Sequence, residues 1–403
     1  MPAFLSHLLL ADSDPGAQRA ALDALSQLPT LRHGGDRSLV ARAEADVARD
    51  PTGSFAFDED GTATLQVSAG TWRAGRLEAP SIAELRTRLS ALERQPRPGR
   101  LRFFVLEGSS PLTDIGWLQA TAPEGCLFQV ASQFNCLESS GPYVTPVHTY
   151  LTDPTQGPRA AIGAFPAALL RHYRAPGPDG SRFVQTTAGP QIDLLGDVAA
   201  DSGVRGGYLQ GPGSMDAQAY VEALAQNQDR IRIGVHREAE VVLGADWDGG
   251  LPDGPSPIIT QVLTSTVAGG LYGGARAFGP DGFERAARVL LPAAYVGTLL
   301  TAVQGRCRRV VLTLIGGGVF GNPVRWIWDA IVQAMDEVEP LLTQDLDVVL
   351  NGREIGQSFD LDRVVRPEVE ARGGRLVRFG DGACAVGRGR RGSASTRLPG
   401  PAE

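Results

Sequence analysis

Apolar residues follow two alternating patterns along the chain. Short, nearly continuous runs rich in Val, Leu, Ile and Phe are typical of strands buried on both faces of a sheet. Such runs predict strands over residues 63–67, 101–106, 126–132, 231–236, 258–265, 309–315 and 346–350. Apolar residues at helical spacing predict the intervening helices, over residues 81–94, 159–173, 216–228, 282–304 and 323–338.

The order of these elements predicts the fold class and the domains. Strands that alternate with helices favour a parallel sheet covered by helices on both faces. We therefore expect a three-layer α/β/α fold with a mixed, mostly parallel sheet over residues 61–380. Residues 1–60 show two helical patterns and are predicted to form an N-terminal helical extension. Residues 381–403 are poor in apolar residues and are predicted to form a disordered tail.

Composition limits the partners that the chain can have. Its 403 residues are 42% hydrophobic and 21% charged, which suits a globular protein with a large core. The net charge of -7 disfavours broad electrostatic binding of nucleic acid or of an anionic membrane. All basic residues are arginine, which excludes a lysine Schiff base and a P-loop lysine. Small ligands and proteins are the partners left to expect.

Location and metal content are also constrained. The four cysteines show no CxxC spacing, which fits a reducing compartment. The first residues lack the basic region of a signal peptide, and no uninterrupted apolar run has the length of a membrane span. The histidines form no metal-ligand spacing. We expect a cytoplasmic protein without a metal, although an effector exported by a specialised machine would look the same.

A glycine turn after the strand over 309–315 is the most informative segment. Glycine lets backbone N–H groups approach a phosphate closely, and the start of the next helix adds the positive end of its dipole. Asn322 stands where the N-cap of that helix belongs, and Pro323 where its first residue belongs. The turn predicts an anion site, with an unliganded strand-to-helix connection as the alternative. Its residues are Gly316, Gly317, Gly318, Val319, Phe320, Gly321 and Asn322.

The same glycines match the GxGxxG pattern of dinucleotide-binding proteins, which is weak evidence by itself. A Rossmann unit would place an acidic residue at the end of the next strand, where this chain has Asn351. An NAD-dependent oxidoreductase is therefore the less favoured function.

Polar residues near other strand ends are candidates for the chemistry. The carboxamide of Asn135 can bond a ribose or nicotinamide, or cap a turn. Asp153 lies between prolines close to Gln156, and it can orient a water as general base or begin an Asx turn. Gln191, Asp193 and Asp197 form a second polar set, and a solvated helical face is the alternative for the two aspartates. Further single carboxylates, each more often a surface charge, are Glu238, Glu240, Asp246, Asp248 and Asp281.

Several segments together resemble a known family. FQVASQFNCLE, YLTDPTQGPRAAIGAFPAALLRHYR and VVLTLIGGGVFGNPVRWIWDAI resemble the macrodomain-like ADP-ribosyl hydrolases grouped with the bacterial effector MavL. The glycine turn is also similar to the GCGAFGN loop of microbial poly(ADP-ribose) glycohydrolases. The resemblance spans residues 63–350. It implies a macrodomain-like fold in which Asn135 contacts the distal ribose, Phe320 packs on it, and Gly316 to Gly321 wrap the diphosphate.

The resemblance is incomplete at the catalytic residues. The glycohydrolases use a GlnGluGlu motif, and this chain has GlnGlyPro in the comparable stretch. The MavL-like enzymes are expected to use aspartates near the distal ribose, which makes Asp153 the candidate here.

These observations predict hydrolysis of the bond between the distal ribose C1″ and a protein side chain, for example arginine on ubiquitin. Asp153 and Asn135 are the predicted catalytic residues, and no cofactor is expected. Contacts to ADP-ribose are predicted for Gln133, Phe134, Asn135, Gln156, Gly157, Asp193 and the glycine turn. The alternative is a module that binds ADP-ribose without cleaving it, since only an enzyme needs a carboxylate beside the scissile bond.

Overall fold

An eleven-stranded sheet forms the centre of the computed structural model. The model describes residues 38–91, 99–109, 113–153, 155–244, 255–269, 274–380 and 383–386. The strands are β1 (Phe55–Phe57), β2 (Ala63–Val67), β3 (Gly70–Glu78), β4 (Leu101–Glu107), β5 (Leu127–Ala131), β6 (Gly234–Glu240), β7 (Ile258–Thr264), β8 (Arg309–Thr313), β9 (Leu346–Asn351), β10 (Leu376–Gly380) and β11 (Ala383–Val386). Across the sheet they follow the order β1-β2-β3-β6-β7-β5-β8-β9-β4-β10-β11.

The middle of the sheet is parallel. Neighbouring strands from β7 through β5, β8, β9 and β4 to β10 all pair in parallel. Antiparallel strands flank this block on both sides. The predicted α/β class with a mixed, mostly parallel sheet is confirmed. Because the parallel strands point the same way, their carboxyl ends meet at one edge of the sheet.

Helices cover both faces of the sheet. They are α1 (Ser38–Arg49), α2 (Ile82–Ser90), α3 (Ile115–Ala120), α4 (Gln156–Gly163), α5 (Phe165–Tyr173), α6 (Ala217–Gln226), α7 (Gly274–Gln304), α8 (Val324–Val338) and α9 (Arg366–Ala371). On one face, α7 packs against α2, α6 and α8. On the other, α5 packs against α1, α4 and the strand β3.

Two buried glutamines fix these helices to opposite faces. In β5, Gln129 Nε2 donates to Thr298 Oγ1 of α7 at 3.1 Å. In β7, Gln261 Nε2 donates to the Ala160 carbonyl of α4 at 2.8 Å. Gln261 lies beside Phe128 in the sheet register, and successive residues of a strand alternate between faces. The two glutamines therefore point in opposite directions, which gives the three-layer α/β/α arrangement.

Two helices differ from their predicted bounds. The helix predicted over 159–173 is divided into α4 and α5 at Ala164, whose φ of -108° and ψ of 58° are not helical. The helix predicted over 282–304 begins earlier, at Gly274, and contains a kink at Gly279, where φ is 68°. By length and hydropathy α7 could cross a membrane, but 83% of its most apolar window is buried inside the fold. Because most of this window is buried, α7 is a core helix of this fold.

The predicted domain limits cut through packed structure at both ends. Strand β1 lies within residues 1–60, yet it pairs with β2 in the main sheet. The α1 residues Val40, Ala43 and Val47 are fully buried in the same core. At the other end β11 pairs with β10, so the limit placed at residue 381 falls inside a strand pair. The remaining predicted tail and residues 1–37 lie outside the described residues.

A buried arginine ties α5 to the sheet. Arg171 is 1% exposed, and its Nε donates to the Cys136 carbonyl at 3.2 Å and its Nη1 to Gln261 Oε1 at 3.1 Å. Its Nη1 also lies 3.3 Å from Nδ1 of His236. Burial lowers the pKa of His236 to about 3, so the ring is neutral and accepts this bond. Arg171 thereby supports Cys136, which turns the chain with a φ of 63°.

Replacing Arg171 by Met should destabilise the protein. The change preserves an apolar stem but leaves the Cys136 carbonyl and Gln261 Oε1 without these buried donors. We expect the free energy of unfolding in urea to fall by about 3–5 kcal/mol. The control Arg363→Met, at an exposed position, should change it by less than about 0.5 kcal/mol. Equal midpoints for the two variants would contradict a structural role for Arg171.

Candidate active site

A cavity of about 600 Å³ lies at the carboxyl edge of the parallel strands. This volume is within the range of small-molecule sites, and the position is the one where open α/β sheets bind ligands. The wall is built from the segments that follow β5, β7, β8 and β9 and from the start of α4. Lining residues from these segments include Ser132, Gln133, Ser265, Thr266, Leu314 to Phe320, Arg353, Gln156 and Gly157.

The glycine turn is a closed loop with a strict requirement at Gly316. Its φ is 72°, and a Cβ there would lie 2.5 Å from Thr266 Cγ2 and 2.7 Å from Asn322 Nδ2. The N–H of Gly321 donates to the Gly318 carbonyl at 2.9 Å, which closes the tip of the loop. Only glycine combines this backbone conformation with such close neighbours at position 316.

Asn322 closes the base of the loop and does not cap the helix. Pro323 occupies the N-cap position of α8, where no side chain makes a capping bond. The Asn322 carboxamide instead donates from Nδ2 to the Val267 carbonyl at 3.0 Å and to the Gly316 carbonyl at 3.3 Å. The predicted N-cap role is therefore wrong, because the side chain bonds back toward the loop and β7. The first amides of α8 have no side-chain acceptor.

The tip of the loop offers backbone donors to the cavity. Within the described part of the chain, the amides of Gly318 and Val319 donate no hydrogen bond. Both residues line the cavity, and a Cβ at Gly318 would meet nothing within 4 Å. Unpaired amides beside the start of a long helix form an anion-binding concavity.

Other walls of the cavity bury polar atoms that have no partner. Native proteins bond nearly all buried polar atoms to protein, water or ligand. Lining side-chain oxygens that lack a hydrogen bond among the described residues are Gln133 Oε1, Glu138 Oε1, Ser139 Oγ, Thr266 Oγ1, Thr313 Oγ1 and Asn351 Oδ1. These oxygens belong to residues that line the cavity, but the atoms themselves are shielded from solvent.

Glu138 is a buried carboxyl in this wall, and it was not among the predicted residues. It is 4% exposed, and its amide donates to Tyr150 Oη at 3.0 Å. Burial raises the pKa of Glu138 well above its usual value; the Arg171 charge opposes this and the Asp153 charge adds to it. A carboxyl that retains its proton near neutral pH can act as a general acid. The signal in the sequence was the glutamate that ends QFNCLE.

Gly157 makes room for this carboxyl. A Cβ at Gly157 would lie 2.6 Å from the Ala131 carbonyl and 3.3 Å from Glu138 Oε2. The start of α4 can therefore lie against the end of β5 only with glycine at this position. The predicted ligand residue Gly157 thus also has a steric role.

Asp153 lines the same cavity and begins an Asx turn. Its Oδ1 accepts bonds from the Thr155 amide at 2.9 Å and from Thr155 Oγ1 at 2.7 Å. Its Oδ2 makes no hydrogen bond with any described residue. The two interpretations of Asp153 are therefore compatible, since one oxygen holds the turn and the other is available for a ligand or water.

Asn135 lies behind the cavity wall. It is 1% exposed, its Nδ2 donates to Gln191 Oε1 at 3.0 Å, and its Oδ1 accepts from the Leu137 amide at 3.1 Å. A Cβ at Gly207 would meet this carboxamide at 2.7 Å. Both ends of the carboxamide are bonded within the protein, so Asn135 supports the turn that leads to Glu138. Asn135 is not among the residues that line the cavity, and its contact with the ribose stays a prediction.

The remaining predicted residues divide between the cavity and its surroundings. Gln133, Gln156, Gly157 and Gly316 to Phe320 line it, whereas Phe134, Asp193, Gly321 and Asn322 do not. Phe134 is a core residue. Residues 194–198 form turns and no helix, and Asp193, just before them, accepts bonds from the Leu195 amide and from Ser202 Oγ. Burial raises the pKa of Asp193, and its hydrogen bonds oppose the rise.

The other candidate carboxylates lie elsewhere. Asp197 pairs with Arg232 at 2.6 Å, and Glu238 pairs with Arg73. Glu240 accepts a bond from the Arg73 amide, and Asp281 is exposed on α7. Asp246 and Asp248 lie outside the described residues. Over the described ranges, no three His, Cys, Asp or Glu side chains are grouped to hold a metal ion.

Tyr208 and Arg353 are further lining residues that the sequence pattern did not indicate. Tyr208 packs against Phe320 with ring centroids 5.7 Å apart, and its Oη donates to the Ser139 carbonyl at 2.5 Å. Arg353 follows β9, and its Nη2 donates to Ser109 Oγ at 2.6 Å. The cavity thus combines an aromatic wall with a cation and the glycine loop.

Comparison with known proteins gives limited information. No protein-family model matches the chain, and no curated protein sequence matches it significantly. A poly(ADP-ribose) glycohydrolase from Thermomonospora curvata is 15% identical with a TM-score of 0.41, over 83% of this chain and 98% of that chain. The enzyme from Deinococcus radiodurans in complex with ADP-ribose is 13% identical with a TM-score of 0.42, over 73% and 94%. Likeness at these values does not identify an activity.

Glu138→Gln should change the pH dependence of stability. The pKa of Glu138 is raised in the folded protein. Its contribution to the free energy of unfolding is therefore complete below the pKa of the unfolded chain, and it is lost as the pH rises through the folded pKa. Glutamine does not ionise, so the variant keeps this part of its stability at every pH. We expect the variant to gain stability over the native protein as the pH rises from the unfolded pKa of about 4.3 to the raised folded pKa, by about 1.4 kcal/mol per unit of pKa shift.

Urea unfolding at several pH values measures this difference. Glu222→Gln, at an exposed position on α6, is the matched control for the loss of a glutamate carboxyl. A flat difference for Glu138→Gln would mean that its carboxyl ionises as it does in the unfolded chain.

Proposed function

We propose that this protein is an ADP-ribosyl hydrolase that releases ADP-ribose from a modified protein side chain. The observation that carries the proposal is the lining of one cavity by two carboxyl groups, Glu138 and Asp153, and by a glycine loop with unpaired amides. Hydrolysis of a glycosidic bond uses a carboxylic acid and a carboxylate on either side of it. A diphosphate is bound by backbone amides at a helix start.

The cavity walls match the parts of ADP-ribose. The diphosphate would bind at Gly318 and Val319, and the apolar face of the distal ribose would pack on the Tyr208–Phe320 wall. Asn135 contributes through the turn that it holds.

The reaction then needs two proton transfers. The protonated Glu138 carboxyl gives its proton to the leaving nitrogen or oxygen of the side chain as the bond to C1″ breaks. The Asp153 carboxylate takes a proton from a water whose oxygen forms the new bond to C1″. The products are ADP-ribose with a C1″ hydroxyl and the free side chain, and proton exchange with solvent resets both carboxyl groups.

An oxidoreductase fits the cavity less well. Asn351, at the position of the acidic residue in a Rossmann unit, is 5% exposed and donates from Nδ2 to the Thr113 carbonyl at 3.1 Å. It offers no carboxylate to a nicotinamide dinucleotide. We therefore favour a hydrolase that needs no cofactor over an oxidoreductase. We also propose that it acts in the cytoplasm. Arginine-linked ADP-ribose on ubiquitin is the first substrate to test, on the strength of the sequence resemblance.

Loss of either carboxyl group should stop the reaction and spare binding. For Glu138→Gln and Asp153→Asn we expect kcat to fall by at least about 100-fold. The affinity for free ADP-ribose should stay within about threefold, since neither variant changes the glycine loop. Mass spectrometry of ADP-ribose released from arginine-modified ubiquitin, and from substrates of other linkages, measures turnover.

Glu222→Gln serves as the control for turnover and should match the native protein. If the native protein binds ADP-ribose but cleaves none of these linkages, it is a binding module and the proposed reaction is wrong. Turnover by Asp153→Asn at the native rate would remove Asp153 from the mechanism.

Gly318→Ala tests the diphosphate position. The new methyl group meets no protein atom within 4 Å, so we expect unchanged stability. Because it projects from the amide-bearing tip of the loop, it should weaken ADP-ribose binding by about tenfold. Calorimetric titration measures the affinity, with NAD as the comparison ligand. Gly316→Ala is the contrasting variant and should lose stability, since its methyl group would clash with Thr266 and Asn322.

A further inference from the structure

A short 3-10 helix, Val147–Thr152, connects the two carboxyl groups of the cavity. Asp153 is its C-cap residue, and the Asp153 amide donates to the Tyr150 carbonyl at 3.2 Å. The hydroxyl of Tyr150 accepts the bond from the Glu138 amide at 3.0 Å. A displacement of this helix would therefore move Asp153 directly and Glu138 through Tyr150.

The other end of the 3-10 helix is held by a carboxylate from a distant part of the chain. Glu44, on α1, lies 103 positions before Val147 and accepts the Val147 amide at 2.6 Å and the His148 amide at 2.8 Å. It also bonds His148 Nδ1 at 2.6 Å and accepts from Tyr173 Oη at 3.1 Å. A negative charge on the first amides of a helical turn is a favourable, charge-assisted arrangement.

The packing of α1 does not explain a buried charge at this position. Val40, Ala43 and Val47 already bury its apolar face completely, and Glu44 is itself only 3% exposed. An apolar residue at position 44 would pack α1 against the core without the free-energy cost of removing a carboxylate from water. The carboxylate holds the start of the 3-10 helix through two amides and the His148 ring, and it joins this turn to Tyr173 of α5.

We infer that Glu44 is a positioning residue of the active site, which holds the 3-10 helix so that Asp153 and Glu138 face the same ligand. This inference rests on the proposed function. It makes α1 a structural part of the catalytic site, although the sequence assigned it to an N-terminal extension.

The kinetic test compares two acidic residues of the same helix. Glu44→Gln retains one acceptor oxygen where the carboxylate had two, so one amide loses its partner. We expect kcat on the ADP-ribosylated protein to fall by about 10- to 100-fold, with KM within about threefold. Asp46→Asn on α1, whose carboxylate bonds Ser68 and Arg49 at the surface, should leave both constants unchanged. An unchanged kcat in Glu44→Gln would overturn the inference.

A second measurement does not depend on activity. In amide hydrogen exchange, Glu44→Gln should accelerate exchange at Val147, at His148 and also at Glu138. Faster exchange at the first two amides alone would show that the constraint does not reach Glu138, and it would overturn the inference. This result is distinguishable from failure of the proposed function, in which the native protein shows no turnover whatever the exchange pattern.

Tyr150→Phe provides the variant to use if Glu44→Gln does not fold. The ring stays in its buried position, and only the acceptor for the Glu138 amide is removed. We expect faster exchange at Glu138 and a fall in kcat with little change in KM. Native kcat in this variant would overturn the link between the 3-10 helix and Glu138.

Discussion

Parallel pairing of β7, β5, β8 and β9 is the constraint on which the site depends. It brings four strand ends to one edge, so residues far apart in sequence, such as Gln133 and Gly316, line one cavity. The hydrogen bonds of these strands stop at the edge, and the loops beyond must find other partners for their polar groups. Asn322 supplies such a partner for Gly316, and the amides of Gly318 and Val319 find none among the described residues.

Burial of Glu138 is the main electrostatic cost of this arrangement. Removing a carboxylate from water is unfavourable unless the group is paired or protonated, and Glu138 Oε1 lacks a hydrogen-bond partner among the described residues. The protonated form is favoured for that reason, which is the state that a general acid needs. In the proposed reaction, this carboxyl is the group that would protonate the leaving side chain.

The sequence predicted the elements better than the chemistry. Strand 63–67 and the glycine turn depend on local patterns, hydrophobic runs and backbone freedom, which are visible without tertiary contacts. Asn135 and Glu138 are three residues apart, and nothing local shows which of them faces the cavity. That choice depends on the turn at Cys136, with its positive φ, and on contacts made to distant residues such as Gly207. The positioning role inferred for Glu44 also depends on contacts with distant residues, Val147 and His148, so no local pattern in the sequence indicates it.

The turn that carries Glu138 is fixed from two sides by groups that leave its carboxyl unpaired. From α5, Arg171 donates to the Cys136 carbonyl, and from α1, Glu44 fixes the helix that contains Tyr150. A direct ion pair between Arg171 and Glu138 would favour the carboxylate and remove the acid. Arg171 is bonded instead to neutral acceptors, so its charge lowers the pKa of Glu138 less than burial raises it. Arg171 and Glu44 therefore fix the turn through neutral backbone and side-chain groups, while the net effect of its surroundings is a raised pKa of Glu138.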